Sequence, residues 1–313
     1  MLNRPKAARR RGPLAIIFFL AALAPAVAQQ AADPDFNPEI AKPAYAEGSG
    51  PEVLIDQAHH NFHTVSGRYA PFAALLARDG YRPGASDARF TPEALADVRI
   101  LVIANALSER NLGGAGLPTY PAFTSGEIAA VMAWVEGGGS LLLIADHMPW
   151  GGAAAELARA FGVLFSDGYA IGNDGSGTRR FRGGSGLAAD HPLVRGRSEA
   201  EKVESVMTFT GQAFRIRPGV DARPVMTFGP ETVLLMPVEA WRFSQRTPRL
   251  SAEGMLQGAT LEYGAGRVAV FGEAAMFSAQ ISSQGGRMGM NHPEARDNAR
   301  FALNVMHWLS RLY

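Results

Sequence analysis

The stretch "GGGSLLLIADHMPWGGAAAELARAFGV", residues 137–163, decides the fold class. Its unbroken apolar run, 141–145, is typical of a strand buried on both faces, because a half-buried strand would alternate apolar and polar residues. The run ends in the polar pair Asp146 and His147, and residues 153–163 then predict a helix. A buried strand, a polar exit and a helix in this order indicate a parallel α/β unit.

The same alternation extends outward from this unit. The runs 52–57 ("EVLIDQ") and 99–105 ("RILVIAN") predict earlier buried strands, and 266–273 ("GRVAVFGE") predicts a late one. Thr124 and Glu127 have the capping-box spacing at the start of a predicted helix, and an amphipathic helix ends the chain. We therefore predict an α/β fold with a doubly wound parallel sheet, covered by helices on both faces.

The chain divides into a leader and one predicted domain. Residues 29–50 are rich in Ala, Pro and Gly and predict an extended leader. Residues 51–313 predict a single α/β domain. Its middle, about 165–262, is irregular and predicts a β-rich insertion, with a Gly-rich loop over 167–186.

Residues 1–28 have the pattern of a secretory signal peptide. They begin with five basic residues and continue through an apolar stretch shorter than the ~20 residues of a membrane span. Ala26, Val27 and Ala28 form an A-x-A cleavage site. We expect a periplasmic or secreted protein that is cleaved after Ala28 and has no membrane span thereafter. An uncleaved N-terminal anchor is the alternative.

Composition excludes several classes of function. Removing the five basic residues of the signal segment from 30 Lys and Arg leaves 25 against 29 acidic residues, a net charge of −4. We therefore expect no nucleic-acid partner, which would require a basic face. The absence of Cys excludes disulfides, thiolate ligands and a Cys nucleophile. The phosphate-binding glycine motifs and the G-x-S-x-G elbow do not occur, so we expect no nucleotide cofactor. The oligomeric state is left open.

Polar residues follow each predicted parallel strand. Asp56 ends the first, Asn105 the second, Asp146 with His147 the third, and Glu273 the last. Because ligands in open α/β sheets bind beyond the carboxyl ends of the strands, we expect these side chains on one rim. We predict catalytic roles for Asn105, Asp146, His147 and Glu273. The alternative is that Asp and Asn here only shape turns.

The segment "DQAHHNFHT", residues 56–64, suggests metal chemistry. His59 and His63 are separated by four residues, which would place both imidazoles on one face of a helix. With Asp56 they could hold a divalent metal such as zinc, manganese or iron, with water in an open position. The H-E-x-x-H signature is absent, however, and hydrogen bonding within a loop would equally explain these residues.

Further polar and aromatic residues suggest ligand contacts. We predict substrate binding by His60, Asn61, Trp150, Asn291 and His292. The ligand would be a small molecule, a glycan or a peptide. Asn291 could instead cap the last helix, and an aromatic side chain such as Trp150 could instead belong to the core.

The run 137–163 resembles the strand, turn and helix of the class I glutamine amidotransferase-like superfamily. The chain is similar to an exported branch of it, that of GldG-type and ThuA-like proteins. The likeness rests on Asp56, Ala58 and His59, on 138–146, and on Glu273, Asn304 and Trp308. It implies the flavodoxin-like fold. It does not imply glutaminase activity, because this chain has no Cys to act as the nucleophile.

Two functions follow from these patterns. The first is an exported hydrolase-like enzyme in which a His or a carboxylate activates water. The second is a non-catalytic periplasmic binding module for a glycan, a peptide or a partner protein. The density of titratable groups on the rim favours the enzyme, whereas the missing nucleophile motif favours the binding module.

Overall fold

A computed structural model describes residues 30–40 and 42–313. The predicted signal peptide and its cleavage site lie outside the described residues. The predicted α/β class is confirmed, with one large sheet that contains parallel strands and a few helices. Within the described residues, no helix is long and apolar enough to cross a membrane.

The elements are labelled in chain order. The strands β1 to β18 are Gln30–Ala32, Glu52–Asp56, Arg82–Ser86, Ile100–Ala104, Ser140–Ile144, Val163–Phe165, Tyr169–Gly172, Thr178–Gly183, Gly186–Leu187, Ser205–Phe209, Phe214–Ile216, Ala222–Thr227, Thr232–Leu235, Arg249–Ser251, Leu256–Tyr263, Gly266–Phe271, Ala279–Ser282 and Arg287–Gly289. The helices α1 to α7 are Ala70–Arg78, Pro92–Leu95, Ser125–Glu136, Trp150–Ala153, Ala155–Ala160, Pro192–Arg195 and Asn298–Leu309. Short 3-10 helices cover Glu109–Asn111, Glu199–Glu201 and Ala275–Phe277.

The large sheet has a parallel half and a mainly antiparallel half. Its path is β10-β8-β9-β12-β15-β16-β5-β4-β2-β3, and the strands from β16 to β3 pair in parallel. The sequence predicted a parallel sheet, but β15 and β16 are antiparallel. Only residues 264–265 connect them, and so short a link forms a hairpin rather than a crossover. Most strands of the irregular middle thus extend the large sheet, whereas β7, β13 and β14 form a separate three-stranded sheet.

Helices cover both faces of the parallel half. On one face Leu142 of β5 belongs to the core cluster that includes Phe301 of α7. On the other face Leu143 belongs to the cluster that includes Val131 of α3. All four side chains are buried. Neighbouring residues of one strand therefore enter different cores, which explains why the strand is apolar at every position after Ser140.

The Gly-rich segment 167–186 is more ordered than the sequence predicts. It contains β7 and β8, and Gly175 with φ +82° lies in the turn between them. β7 pairs with β13, and β8 pairs with β10. Because both partners come from later in the chain, these strands depend on long-range pairing that local composition does not reveal.

The end of the chain lies at the amino-terminal edge of the parallel strands. Ser140, the first residue of β5, donates its hydroxyl to the carbonyl of Leu309 at 2.7 Å. Arg267, near the start of β16, donates to the carbonyls of Trp308 and Tyr313 at 2.6 and 3.1 Å. These bonds fix α7 and the last residues at the edge opposite the strand exits.

Candidate functional site

The polar strand exits meet at the carboxyl edge, as the sequence predicts. The backbone N–H of Asp146 donates to Asn105 Oδ1 at 2.9 Å, and the N–H of Ala274 donates to Asp146 Oδ2 at 3.2 Å. Asn105 has φ +50°, a left-handed conformation that Asn tolerates better than most residues. The exits of β4, β5 and β16 are therefore held together by hydrogen bonds.

A cavity of about 560 Å³ opens at this edge, a volume common for small-molecule sites. Of the residues predicted for a site, it is lined by His63, Asn105, Asp146, His147 and Trp150. Its other lining residues are Gln30, Phe62, Gly177, Thr178, Phe209, Thr210, Trp241, Ala275, Gln280 and Met288. Five of the twelve predicted site residues are thus brought together, and a second wall comes from the antiparallel half of the sheet and from β1, β17 and β18.

His147 has one ring nitrogen engaged by the protein. Its Nδ1 lies 2.8 Å from the carbonyl oxygen of Met148, and its ring stacks on that of Tyr169, with centroids 4.4 Å apart. Its Nε2 lies 3.7 Å from Asp146 Oδ1. Burial lowers the pKa of His147, and the nearby Asp146 carboxylate offsets part of that effect. His147 is therefore a neutral imidazole near pH 7.

Asp146 lines the cavity floor but is almost fully buried. Its Oδ1 accepts the N–H of His147 at 2.8 Å, and its Oδ2 accepts that of Ala274. Burial raises its pKa, although the neighbouring imidazole and these hydrogen bonds work against the rise. Asp146 therefore organises two backbone turns at the cavity floor.

Glu273 lies deeper and does not line the cavity. Its two carboxyl oxygens accept the N–H groups of Ala275 and Met276 at 2.6 and 2.8 Å. This caps the 3-10 helix that follows β16. Burial raises the pKa of Glu273 well above its usual value, and the charge of Asp146 adds to the rise. The structure thus gives this predicted catalytic residue a capping contact.

His59 lies between two carboxylates and away from the cavity. Its Nδ1 is 2.9 Å from both oxygens of Asp56, and its Nε2 is 2.9 Å from Glu127. Burial lowers the pKa of His59, but the hydrogen bonds and charges of these two carboxylates raise it overall. Burial has the opposite effect on Glu127 and raises its pKa. Hydrogen bonds from the Thr124 N–H and His59 outweigh this effect and bring the pKa of Glu127 to about 2. The sequence identified Glu127 only as part of a capping box.

His63 lies apart from His59 and differs from it in protonation. Its Nδ1 lies 3.2 Å from the side-chain nitrogen of Asn105, and its Nε2 is buried without a hydrogen-bond partner among the described residues. Burial, with a smaller effect from Arg68, lowers its pKa to about 3. His63 is therefore a neutral imidazole on the cavity floor.

The residues predicted for a metal do not form a ligand set. Residues 57–69 contain no helix, so His59 and His63 do not share a helical face. Both ring nitrogens of His59 are already hydrogen-bonded to carboxylates. Across 30–40 and 42–313, no three His, Cys, Asp or Glu side chains are grouped as metal ligands. The described arrangement therefore does not fit a bound divalent metal.

Two other predicted residues near His59 do not reach the cavity. His60 is exposed, with φ +48°. Asn61 accepts the N–H of His59 at 3.1 Å and donates to Asp56 Oδ2 at 3.0 Å. Asn61 therefore fixes the loop after β2 rather than facing a ligand.

Asn291 and His292 lie beside the cavity but do not line it. Asn291 donates to Asp33 Oδ2 at 2.8 Å, which anchors the chain that follows β1. The His292 ring packs at the edge of Phe209, with centroids 5.5 Å apart. Both residues thus support the cavity wall from behind.

Aromatic side chains form the rim of the cavity. The ring centroids of Phe62 and Trp150 are 4.9 Å apart, and Trp150 and Trp241 lie 5.0 and 4.6 Å from the His147 ring. Trp241 is 58% exposed. Its backbone N–H donates to the hydroxyl of Tyr169 at 3.1 Å, and this bond holds its turn in place. The rim therefore offers exposed ring faces above a polar floor.

No protein-family model matches this chain, and no curated protein matches its sequence. Among solved structures, the mmIFT52 N-terminal domain is similar at 15% identity with a TM-score of 0.55, covering 83% of this chain and 97% of that one. This likeness concerns the fold alone. A ThuA-like protein from Bacteroides uniformis is similar at 12% identity with a TM-score of 0.48, covering 85% and 93%. Another from Parabacteroides merdae is 11% identical with a TM-score of 0.45, covering 84% and 90%.

Proposed function

We propose that the parallel half of the sheet has the flavodoxin-like arrangement. Numbered along the chain, its strands β2, β3, β4, β5 and β16 lie in the spatial order 2-1-3-4-5, which is the order of that arrangement. Ligands in such sheets bind where the strand order reverses, here between β2 and β4. The contact between His63 and Asn105 lies at that point, which supports the cavity as the binding site.

We propose that the chain binds a small, uncharged, hydroxylated molecule, such as a mono- or disaccharide, in this cavity. The observation that carries the proposal is the combination of an aromatic rim with a floor of His63, Asn105, Asp146 and His147. Aromatic faces favour the apolar face of a ring, and a few convergent polar groups fix its orientation.

The charge distribution argues for an uncharged ligand. Neither Lys nor Arg occurs among the described residues that line the cavity, so an anion would find no counterion there. Both floor imidazoles are neutral near pH 7, because burial lowers their pKa values. A quaternary ammonium would suit the aromatic rim but would leave the directional hydrogen-bonding groups of the floor unused.

Thermal-shift measurements with matched ligands test this proposal. We expect cellobiose, maltose or lactose at millimolar concentration to raise the melting temperature, because a ligand that binds the folded state stabilises it. Glucose 6-phosphate and choline chloride should not. The shift should disappear in Trp241→Ala and persist in Trp134→Phe. The Trp134 indole donates to the carbonyl of Val98, just ahead of β4 and so at the edge opposite the cavity. A larger shift with choline than with every saccharide, or no shift with any of these compounds, would contradict the proposal.

A hydrolase is the second candidate, and His147 is the observation that favours it. The Met148 carbonyl fixes the Nδ1 proton, so Nε2 has a lone pair beside the cavity. That nitrogen could take a proton from a water molecule whose oxygen attacks an ester or glycosidic carbon, and return the proton to the leaving oxygen. Thr178 and Thr210 also line the cavity.

Turnover separates the two candidates. Chromogenic acetyl esters and nitrophenyl glycosides should be cleaved by the wild type and not by His147→Gln if the hydrolase is correct. The exposed neighbour His60→Gln serves as the control. Saccharide binding without cleavage of any of these substrates leaves the binding protein as the function.

A further inference from the structure

Asn105 contacts two elements of the cavity floor at once. Its Oδ1 accepts the backbone N–H of Asp146 at 2.9 Å, and its Nδ2 lies 3.2 Å from Nδ1 of His63. A backbone N–H can only donate, so the oxygen of the Asn105 amide is identified by this contact. The atom that faces His63 is therefore the NH₂ group, which donates.

This orientation decides where the proton of His63 resides. Because Asn105 donates to Nδ1, that nitrogen supplies a lone pair, and a neutral ring carries its proton on Nε2. The Nε2 atom is buried and has no hydrogen-bond partner among residues 30–40 and 42–313. Leaving a buried donor unpaired is unfavourable, so a ligand acceptor that reached this nitrogen would gain binding free energy by pairing it.

His147 presents the opposite tautomer on the same floor. The Met148 carbonyl can only accept, so Nδ1 of His147 carries the proton and Nε2 the lone pair. The groups that face these rings include the Asp146 carboxyl beside His147 and the Arg68 guanidinium near His63. Neither contact supplies a proton to the lone pair of His147 Nε2.

We propose that Asn105 is a positioning residue that sets His63 as a hydrogen-bond donor, while the Met148 carbonyl sets His147 as an acceptor. The cavity floor then binds a group that accepts a hydrogen bond from His63 and donates one to His147, as a hydroxyl or an amide does. This assignment rests on the proposed ligand site for its role in binding. The two tautomers themselves are properties of the ligand-free protein.

Nuclear magnetic resonance of protein labelled with ¹⁵N-histidine tests the tautomers without a ligand. Long-range proton–nitrogen spectra distinguish a protonated from an unprotonated ring nitrogen, and the chain has only seven His residues. We expect the proton on Nε2 of His63 and on Nδ1 of His147. A protonated Nδ1 on His63 in the wild type would overturn the proposal, whatever the protein binds.

Asn105→Asp provides the matched perturbation. Asp can still accept the N–H of Asp146 but offers an acceptor to His63, so the His63 proton should move to Nδ1 while His147 keeps its tautomer. A loss of stability alone would not relocate one proton in this way. An unchanged His63 tautomer in the folded variant would overturn the role of Asn105, and if the variant does not fold, the wild-type spectrum still decides.

Binding of cellobiose, maltose or lactose then connects the tautomer to recognition. We expect Asn105→Asp to weaken the saccharide that binds best by about tenfold or more, the loss expected for one hydrogen bond. Equal affinity with a relocated proton would show that His63 does not contact the ligand, and would overturn its role in recognition. If no saccharide binds the wild type, the proposed ligand fails while the tautomer assignment is judged by the spectra alone.

Discussion

His59 hydrogen-bonds Glu127 at 2.9 Å and so joins the loop after β2 to the first turn of α3, 68 residues later in the chain. The opposite ring nitrogen is held by Asp56. We expect His59→Ala to lower the free energy of unfolding by about 3 kcal/mol, because removing one member of a buried charged set leaves the others unpaired. Urea unfolding measures this, with the exposed His60→Ala as the control, expected within about 0.5 kcal/mol of wild type.

The same residue predicts a dependence on pH. The folded-state pKa of His59 is raised, so its stabilisation is fully present below the ordinary value of 6.5 and is lost as the pH rises through the folded pKa. The difference in unfolding free energy between wild type and His59→Gln should therefore be larger at pH 6 than at pH 9. A difference that grows with pH would contradict the ion-pair geometry.

His63 predicts the opposite dependence. Its folded pKa is about 3, so between pH 6.5 and 3 the unfolded chain binds a proton that the folded chain does not. Lowering the pH from 7 to 5 should cost about 2 kcal/mol of stability through this residue, and His63→Gln should remove that part of the slope. Tyr69→Phe, which alters a ring packed 4.6 Å from His63, serves as the packing control and should keep the slope.

Thr124 couples a helix cap to this network. Its hydroxyl accepts the N–H of Glu127 and donates to the same carboxylate that reaches His59. Thr124→Ala should cost about 1 kcal/mol. In a double-mutant cycle with His59→Gln, the loss of unfolding free energy in the double mutant should differ from the sum of the two single losses by at least about 0.5 kcal/mol. Ser310→Ala, which removes a hydroxyl at the far edge of the sheet, should add to His59→Gln.

Tyr169 controls the aromatic rim through one hydroxyl group. It donates to the Met148 carbonyl at 3.0 Å and accepts the backbone N–H of Trp241 at 3.1 Å. Tyr169→Phe should cost about 1–2 kcal/mol and shift the fluorescence of Trp241 toward that of a freely solvated indole. Tyr263→Phe is the control, since that hydroxyl has no hydrogen bond within the described part of the chain. Unchanged fluorescence in Tyr169→Phe would show that the turn at Trp241 is held by other contacts.

Local rules predicted the parallel half of the fold well. The apolar run that contains Leu142 and Leu143 required burial on both faces, and two cores meet it there. The pair Thr124 and Glu127 predicted a capping box that the structure contains. The antiparallel half was harder to predict from the sequence. The pairing of β8 with β10, for example, depends on the register between two segments that are distant in the chain.

The sequence predicted the site residues correctly only where they come directly after a strand. Asn105, Asp146 and His147 lie at strand exits and line the cavity. The spacing of His59 and His63 indicated a shared face only if the segment were helical, and the nearby Asp56 carboxylate holds His59 in a loop instead. Residues such as Phe209 and Trp241 come from the β-rich half and have no local signal that places them at this edge. Their turns, at Thr210 with φ +73° and at Trp241 with φ +63°, are visible only in the structure.

The bonds from Arg267 to the carbonyls of Trp308 and Tyr313 have a practical consequence for surface-based assays. They fix the last residues at the edge remote from the cavity mouth, whereas Gln30 lies in the cavity wall. An affinity handle or biosensor linkage attached after Tyr313 would leave the mouth facing the solution. One attached just ahead of Gln30 would crowd the entrance, and immobilisation chemistry should therefore be placed after Tyr313.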